Sequence, residues 1–405
     1  MHSNNLFDAG RRYAEWMQSQ ALPFWSTAGL APNQAFYERL LANGEPDTTA
    51  NIRVRVQARQ IYSFAMADHL DWFAGGSAIS AALYAFMEKH ARLDGRAGYG
   101  HLMNAQFALI NNKIDLYDHA FYLLAMAWLY RVTEDRIYLT RAEEIINDLD
   151  EHFSSEYGGW SEGDYKTNCR RQNPHMHLFE AFMSLYECSG QAQWLARASA
   201  IFKLFKAHFF DAENQVVLEF FTEDWQPLAN DTGKIIEPGH MVEWVWLLRW
   251  YEKLTQVDVD YWANALYIKA YEIGIAPSGL MYDSMMLDGA MTTQCKRSWP
   301  MTELIKANIA QARAGFSDCE AKAAQAVDLL FKYYLTVACD GSWLDQRGPE
   351  DEISCELAQA STLYHLMCAC KELVDYCAVQ NSQQHGQLNS NSQVNNNRKI
   401  NNKSI

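Results

Sequence analysis

Gly159-Trp160-Ser161-Glu162 reads as a turn at the end of a helix, a large apolar residue, and a titratable residue two positions further on. Four other places repeat the pattern: Gly98-Tyr99-Gly100-His101, Gln215-Val216-Val217-Leu218-Glu219, Leu280-Met281-Tyr282-Asp283 and Ser342-Trp343-Leu344-Asp345. The apolar positions 99, 160, 217, 281 and 343 are 61, 57, 64 and 62 residues apart. A near-constant period of this kind marks a fold assembled from one supersecondary unit used several times.

Between the turns the chain reads as helix, two segments per interval. One set is apolar nearly all round and begins at a polar cluster: 53–68, 115–131, 174–188, 239–254, 300–313 and 352–371. The other is amphipathic: 79–92, 134–153, 191–210, 258–271 and 317–335, completed by a helix over 8–20. Apolar helices belong inside and amphipathic ones outside. A single hairpin of helices cannot bury its own apolar surface, so hairpins must pack on one another. Six hairpins are the number that closes an (α/α)6 barrel, and the fold expected is all-α, a single barrel domain over residues 1–378. Residues 379–405 are mostly Asn, Ser, Gln and Lys. They have too little apolar surface to offset the entropy of ordering, and a disordered tail is expected there.

Composition narrows the function. The chain has 405 residues, 49% apolar and 20% charged, with a formal net charge of -15. That balance argues against a nucleic-acid backbone or an anionic membrane as partner. No secretory signal and no apolar run of bilayer length are visible, so a cytoplasmic protein is expected. The nine scattered cysteines read as reduced, mostly buried thiols rather than as zinc ligands.

In a closed barrel the N-terminal ends of the inner helices meet at one mouth, each with free N–H groups and partial positive charge. Their polar clusters therefore converge: Arg53, Arg55, Gln57 and Arg59; Asp115, Asp118 and His119; Asn173, His175 and His177; His240 and Glu243; Trp299 and Glu303; Glu352, Glu356 and His365. Asn173-Pro174 reads as an N-cap followed by Pro at the first helical position. His240 and Glu243 are one turn apart on one helix face. Polar groups in otherwise apolar helices are costly to bury and point to a wet cavity. His175-Met176-His177 directs its two rings apart, and no phosphate-binding glycine loop or nucleophile elbow occurs, so no metal and no nucleotide cofactor is expected.

At these helix starts the sequence resembles the N-acylglucosamine 2-epimerase superfamily. The segments that carry the likeness are Arg53-Val54-Arg55-Val56-Gln57-Ala58-Arg59-Gln60, Asn173-Pro174-His175-Met176-His177-Leu178-Phe179-Glu180, Pro238-Gly239-His240-Met241-Val242-Glu243-Trp244 and Leu363-Tyr364-His365-Leu366. Similarity is greatest to its mannose isomerase and sulfoquinovose isomerase branches. The resemblance implies an (α/α)6 barrel and an aldose–ketose isomerase with no cofactor. It implies His240 and His365 as the two acid/base groups. Arg55, His177, Glu243, Asn173, Asp118, Trp299 and Glu303 are implied as substrate-binding, with Glu243 beside His240. The expected partner is a small-molecule monosaccharide, first D-mannose and D-fructose and then D-lyxose and D-xylulose. The expected assembly is a monomer or homodimer.

The chemistry fits those residues. Moving a proton between C2 and C1 through an enediol needs groups that titrate near neutrality, which histidine does. His365 is expected to carry the proton between carbons, with His240, oriented by Glu243, serving the oxygens. The same pair would permit 2-epimerisation. A carboxylate pair drawn from Asp118, Glu303 and Glu356 would suit glycoside hydrolysis, and a sugar-binding protein without turnover is the remaining alternative.

Overall fold

The computed structural model describes residues 5–401, with side chains to residue 383. Six inner helices alternate with six outer ones. The inner set is α3 (Val54–His69), α5 (Leu116–Thr133), α7 (Gln172–Ser189), α9 (Pro238–Thr255), α11 (Trp299–Arg313) and α13 (Thr362–Asn401). The outer set begins with α1 (Leu6–Trp16), which runs through a π-helical turn, Met17–Ala21, into α2 (Leu22–Trp25). It continues with α4 (Gly76–His90), α6 (Ile137–Phe153), α8 (Ala192–Leu204), α10 (Asp260–Gly274) and α12 (Cys319–Leu330).

Each inner helix packs on the next, and α13 packs on α3, so the ring is closed. The seam is held by several independent contacts. Tyr13 Oη donates to the Leu366 carbonyl at 3.0 Å, and Gln60 Nε2 donates to the Ala360 carbonyl at 2.7 Å. The rings of Trp25 and Trp343 stack at 4.5 Å, and Arg39–Leu40 pairs antiparallel with Ala358–Gln359. The fold is the expected (α/α)6 barrel.

The repeated turn has a structural job. After each outer helix the chain doubles back, and one N–H beyond the apolar residue donates to a carbonyl at that helix's end. The pairs are Tyr37 to Gly29, Gly100 to Ala91, Ser161 to Phe153, Leu218 to Phe209, Tyr282 to Gly274 and Leu344 to Tyr334, at 2.8–3.0 Å. The first pair marks a sixth copy, Phe36-Tyr37-Glu38, that the sequence reading misses.

A second link ties neighbouring hairpins. The N–H at or just before an inner helix start donates to the carbonyl of the next copy's titratable residue: Val54 to His101, Leu116 to Glu162, Gln172 to Glu219, Ser298 to Asp345, and, closing the ring, Ala360 to Glu38. At the remaining start the residue is Pro238, which has no N–H. Each such bond is worth about 1 kcal/mol net. They fix register, while the apolar surface between the two rings of helices supplies the bulk of the stability.

The structure corrects four readings. The last inner helix starts at Thr362, not near 352. The preceding stretch, where Gly348 and Pro349 break a helix, forms short strands: Gln346–Arg347 pairs with Lys296–Arg297 and with Ile353–Cys355. Glu352 and Glu356 therefore lie outside the inner helix. Helix α7 starts at Gln172 with Arg171 as its N-cap, so Asn173 is already helical; Pro174 is tolerated because first-turn N–H groups have no intrahelical partner. The nine cysteines are all unpaired, but only Cys319, Cys368 and Cys370 are fully buried. As to the tail, α13 is drawn on to Asn401, while residues 402–405 and the side chains beyond 383 lie outside the described residues. Among the described residues no helix is long and apolar enough to cross a membrane.

Candidate active site

The inner-helix starts surround a cavity of about 1030 Å³. Of the residues that the resemblance implies, Arg55, Asn173, His177, His240, Glu243, Trp299 and His365 line it, joined by Arg53, Arg59 and Asp115 from the same helix starts. Asp118 and Glu303 stand one layer behind, fully buried, and hold the residues that face the cavity.

His240 enters on the first turn of α9, where Pro238 at the helix start and the extended Glu237 fix its direction. Its Nδ1 lies 2.9 Å from Glu219 Oε1. The other oxygen of Glu219 accepts from Gln172 Nε2 at 3.0 Å, and Gln172 Oε1 in turn accepts from Trp244 Nε1 at 2.8 Å. Glu237 Oε2 is 3.6 Å from the same imidazole nitrogen. Burial opposes the charged ring, but Glu219 and Glu237 outweigh it, and His240 is pushed up to about 10. His240 is an imidazolium at neutral pH.

His365, near the start of α13, has the opposite bias. Its Nδ1 lies 2.8 Å from Glu303 Oε1. Glu303 Oε2 is 2.5 Å from Lys306 Nζ, a fully buried ion pair. Burial first, then the positive charges of Arg59 and Lys306, hold His365 well below the usual histidine range. With Glu303 accepting the Nδ1 proton, Nε2 carries the free lone pair. The Trp299 ring lies against both histidines, with centroids 5.3 Å from His240 and 5.5 Å from His365.

Glu243 does not orient His240. Both its oxygens are buried without a hydrogen-bond partner, and burial, then Glu303, push it well above the ordinary carboxylate range. It faces the cavity. Glu219, quoted in the repeat but given no role by the sequence reading, takes the orienting place. His177 is held by Glu180, Nδ1 to Oε2 at 3.2 Å, and Tyr364 Oη donates to the same oxygen. Arg55 Nη1 donates to Asp118 Oδ1 at 2.9 Å, and His101 Nδ1 lies 2.6 Å from Asp118 Oδ2. Burial works to raise Asp118, but His101 and Arg55 prevail and hold it below the usual range. Arg59, on the floor, donates to Tyr117 Oη at 2.8 Å and lies over the Phe121 ring. Among the described residues four donor sets come together around the cavity, His101–Asp115–Asp118, His177–Glu180–Glu243, Glu219–Glu237–His240 and Glu243–Glu303–His365, with a fifth, Glu252–Asp258–Asp260, elsewhere; Lys306 sets its own ammonium against Glu303 in the fourth.

His119 and His175 are not cavity residues. The His119 Nε2 accepts from the Tyr99 amide at 3.0 Å, and the His175 Nε2 accepts from the Trp160 amide at 3.1 Å. Both therefore fasten an inner helix to a repeat turn. A Cβ on Gly159, whose φ is +66°, would sit 2.6 Å from the His175 ring, so that turn needs glycine. Burial, then Arg170, lowers His175 to about 3. The folded pKa lies below the unfolded value of about 6.5, so its contribution is complete above pH 6.5 and shrinks as pH falls from there towards 3. Unfolding free energy from urea titration should drop by about 1 kcal/mol per pH unit over that window through this group alone. His175→Gln should flatten the slope while lowering stability throughout. An unchanged slope would remove His175 from the account.

These features can be set beside known proteins. A family model described as N-acylglucosamine 2-epimerase (GlcNAc 2-epimerase) matches residues 35–369. The chain is 33% identical over 378 residues to mannose-6-phosphate isomerase of Rhizobium meliloti (strain 1021), covering 89% of this chain and 96% of that protein. It is 25% identical over 333 residues to D-mannose isomerase of Thermobifida fusca, covering 75% and 79%. The solved structure of cellobiose 2-epimerase from Bacillus thermoamylovorans B4167 matches with a TM-score of 0.81 at 18% identity, over 90% of this chain and 98% of that one, a likeness of fold. With the closed barrel, the helix-start residues and a match across most of its length in agreement, the chain belongs to the N-acylglucosamine 2-epimerase family of sugar isomerases and epimerases.

Proposed function

We propose that the protein is an aldose–ketose isomerase interconverting D-mannose and D-fructose. The observation that carries this reading is the pair of oppositely biased histidines facing one cavity across Trp299. Neutral His365 takes the C2 proton at Nε2 and returns it to C1. The imidazolium of His240 donates a proton to O1 as the enediol forms and recovers one from O2 as the ketone forms. A base poised neutral and an acid poised charged are what each half of that exchange requires. Arg55, held by Asp118, stabilises negative charge on the enediolate oxygens. His177 and Asn173 bind hydroxyls; Asn173 Oδ1 is buried with no partner in the protein. Only the first three carbons enter the chemistry, so D-lyxose and D-xylulose are expected as a slower pair.

An uncharged sugar suits the rim. Arg53, Arg171 and Arg297 each already pair with a carboxylate, Glu38, Glu162 and Asp283 respectively. A phosphorylated sugar, the kind named for the Rhizobium relative, would have to draw one of them away.

The test is proton NMR of the protein with D-mannose in D2O containing EDTA, with D-mannose 6-phosphate run alongside. Fructose as first product supports the reading. Glucose first, with deuterium at C2, would replace it with 2-epimerisation. Turnover of the phosphate ester alone would overturn the uncharged-sugar assignment.

A further inference from the structure

The two histidine–carboxylate pairs differ in what holds the far oxygen of the carboxylate. Glu219 is held by the neutral amide of Gln172, with a second acid, Glu237, close by. Glu303 is held by the ammonium of Lys306, one turn further along α11. Lys306 is fully buried, and its Nζ sits 3.7 Å from the Trp246 ring centroid. A lysine at the centre of a barrel is costly to bury, and nothing about packing asks for one there.

We propose that Lys306 is a positioning residue that neutralises Glu303 from behind and so makes His365, rather than His240, the proton acceptor. Without it, His365 would face an uncompensated carboxylate, which is the situation of His240. The other charged and titratable groups around His365 include Arg59 on α3, His177 on α7, His240 and Glu243 on α9, and Tyr364 on α13 itself, whose hydroxyl donates to Glu180. Burial and Arg59 act in the same direction as Lys306. Lys306 differs in touching the carboxylate that touches His365. Its ammonium is fixed in the charged state: burial opposes the charge, but Cys368, Glu303, Glu243 and Glu180 raise its pKa above the usual lysine range. The counter-charge is thus constant across the working pH range.

This inference rests on the reading of His365 as base, and it is tested by a measurement independent of turnover. Ring resonances of His365 and His240 are followed against pH by NMR in wild type, Lys306→Met and Lys306→Gln. Wild type is expected to show His365 neutral and His240 charged at pH 7; the reverse overturns the proposal whatever the variants do. In Lys306→Met, close in volume, His365 is expected to titrate at least one pH unit higher. Lys306→Gln keeps a hydrogen-bond donor and removes the charge, and should shift His365 likewise. The acid limb of kcat/KM should move up by the same amount, so that activity returns at higher pH. The double variant Lys306→Met/Glu303→Gln should bring the His365 titration back down. An unmoved His365 in a folded single variant, with kcat merely scaled down at every pH, would leave Lys306 a structural role only. Absence of sugar turnover in wild type would sink the isomerase reading and leave the titrations to judge this one.

Discussion

His365→Ala is expected to lower kcat/KM for D-mannose by about a thousandfold, with the barrel intact by circular dichroism. The magnitude is that of a positioned acid/base group. His177 is also held neutral, by burial, Arg59 and His240, but its ring packs on Tyr117 and Phe121, whereas His240 and His365 share Trp299. Glu243 holds its proton more tightly than an ordinary carboxyl, through burial and then Glu303, and is less available as a base. His240→Ala should cost about as much in net isomerisation but should differ in kind. With His365 present, the C2 proton of mannose can still be drawn off, so deuterium from D2O should enter C2 faster than fructose accumulates. In His365→Ala neither exchange nor product should appear. Equal exchange in both variants would reverse the two roles, and near-normal turnover in either would remove that residue from the mechanism.

The contrast between these variants rests on features that were unequally legible. The barrel was readable because its signals are local and repeated. Apolar helices such as 239–254 need no partner to be recognised, and a period of about sixty residues survives substitution of almost every residue in it. The repeat was also where the missed chemistry lay. Glu219 and His101 are the titratable residues of two copies, and the carbonyl behind each fastens a neighbouring helix start. The sequence shows that such a residue recurs. It does not show that Glu219 would meet His240, 21 residues on, while Glu243, three residues from it on the same helix, would not. Helical spacing places Glu243 on the His240 face, but Nδ1 points to Glu219 in the preceding repeat turn, between the short strands Val216–Val217 and Phe220–Phe221. Lys306 was invisible for a related reason: a lysine one turn after a glutamate reads as an ordinary surface pair, and only barrel closure places it at 0% exposure. Glu352 and Glu356 fail in the other direction. The apolar pattern of α13 was extended backwards over a stretch that Gly348 and Pro349 turn into strands.

Glu219→Gln is the substitution that separates the structural account of His240 from the one suggested by spacing. It keeps the shape and the contact with Gln172 but removes the charge that holds the imidazolium. Turnover at neutral pH should fall by about a hundredfold, the lower end of what a general acid contributes. The pH profile should change in a stated direction. In the proposed mechanism His240 acts protonated, so activity is expected to be lost on the alkaline side as pH rises through its pKa, pushed up to about 10 in the wild type. Removing Glu219 takes away the main charge opposing burial, and the alkaline limb should move down by more than one pH unit. The stability change has the same sign. A histidine raised in the folded state stabilises fully below the unfolded value of about 6.5 and loses that contribution as pH climbs to the folded one. The wild type should therefore lose urea resistance between pH 7 and 10 more steeply than Glu219→Gln. Glu243→Gln makes the opposite prediction. Since Glu243 makes no hydrogen bond to His240 and its carboxyl is biased towards the protonated form by burial and Glu303, the amide changes little around His240, the alkaline limb stays in place, and the effect falls on KM through the two oxygens that have no partner in the protein. If the limb moved in Glu243→Gln and not in Glu219→Gln, helix spacing would be the better guide to this site, and Glu219 would be only a strut beneath the barrel mouth.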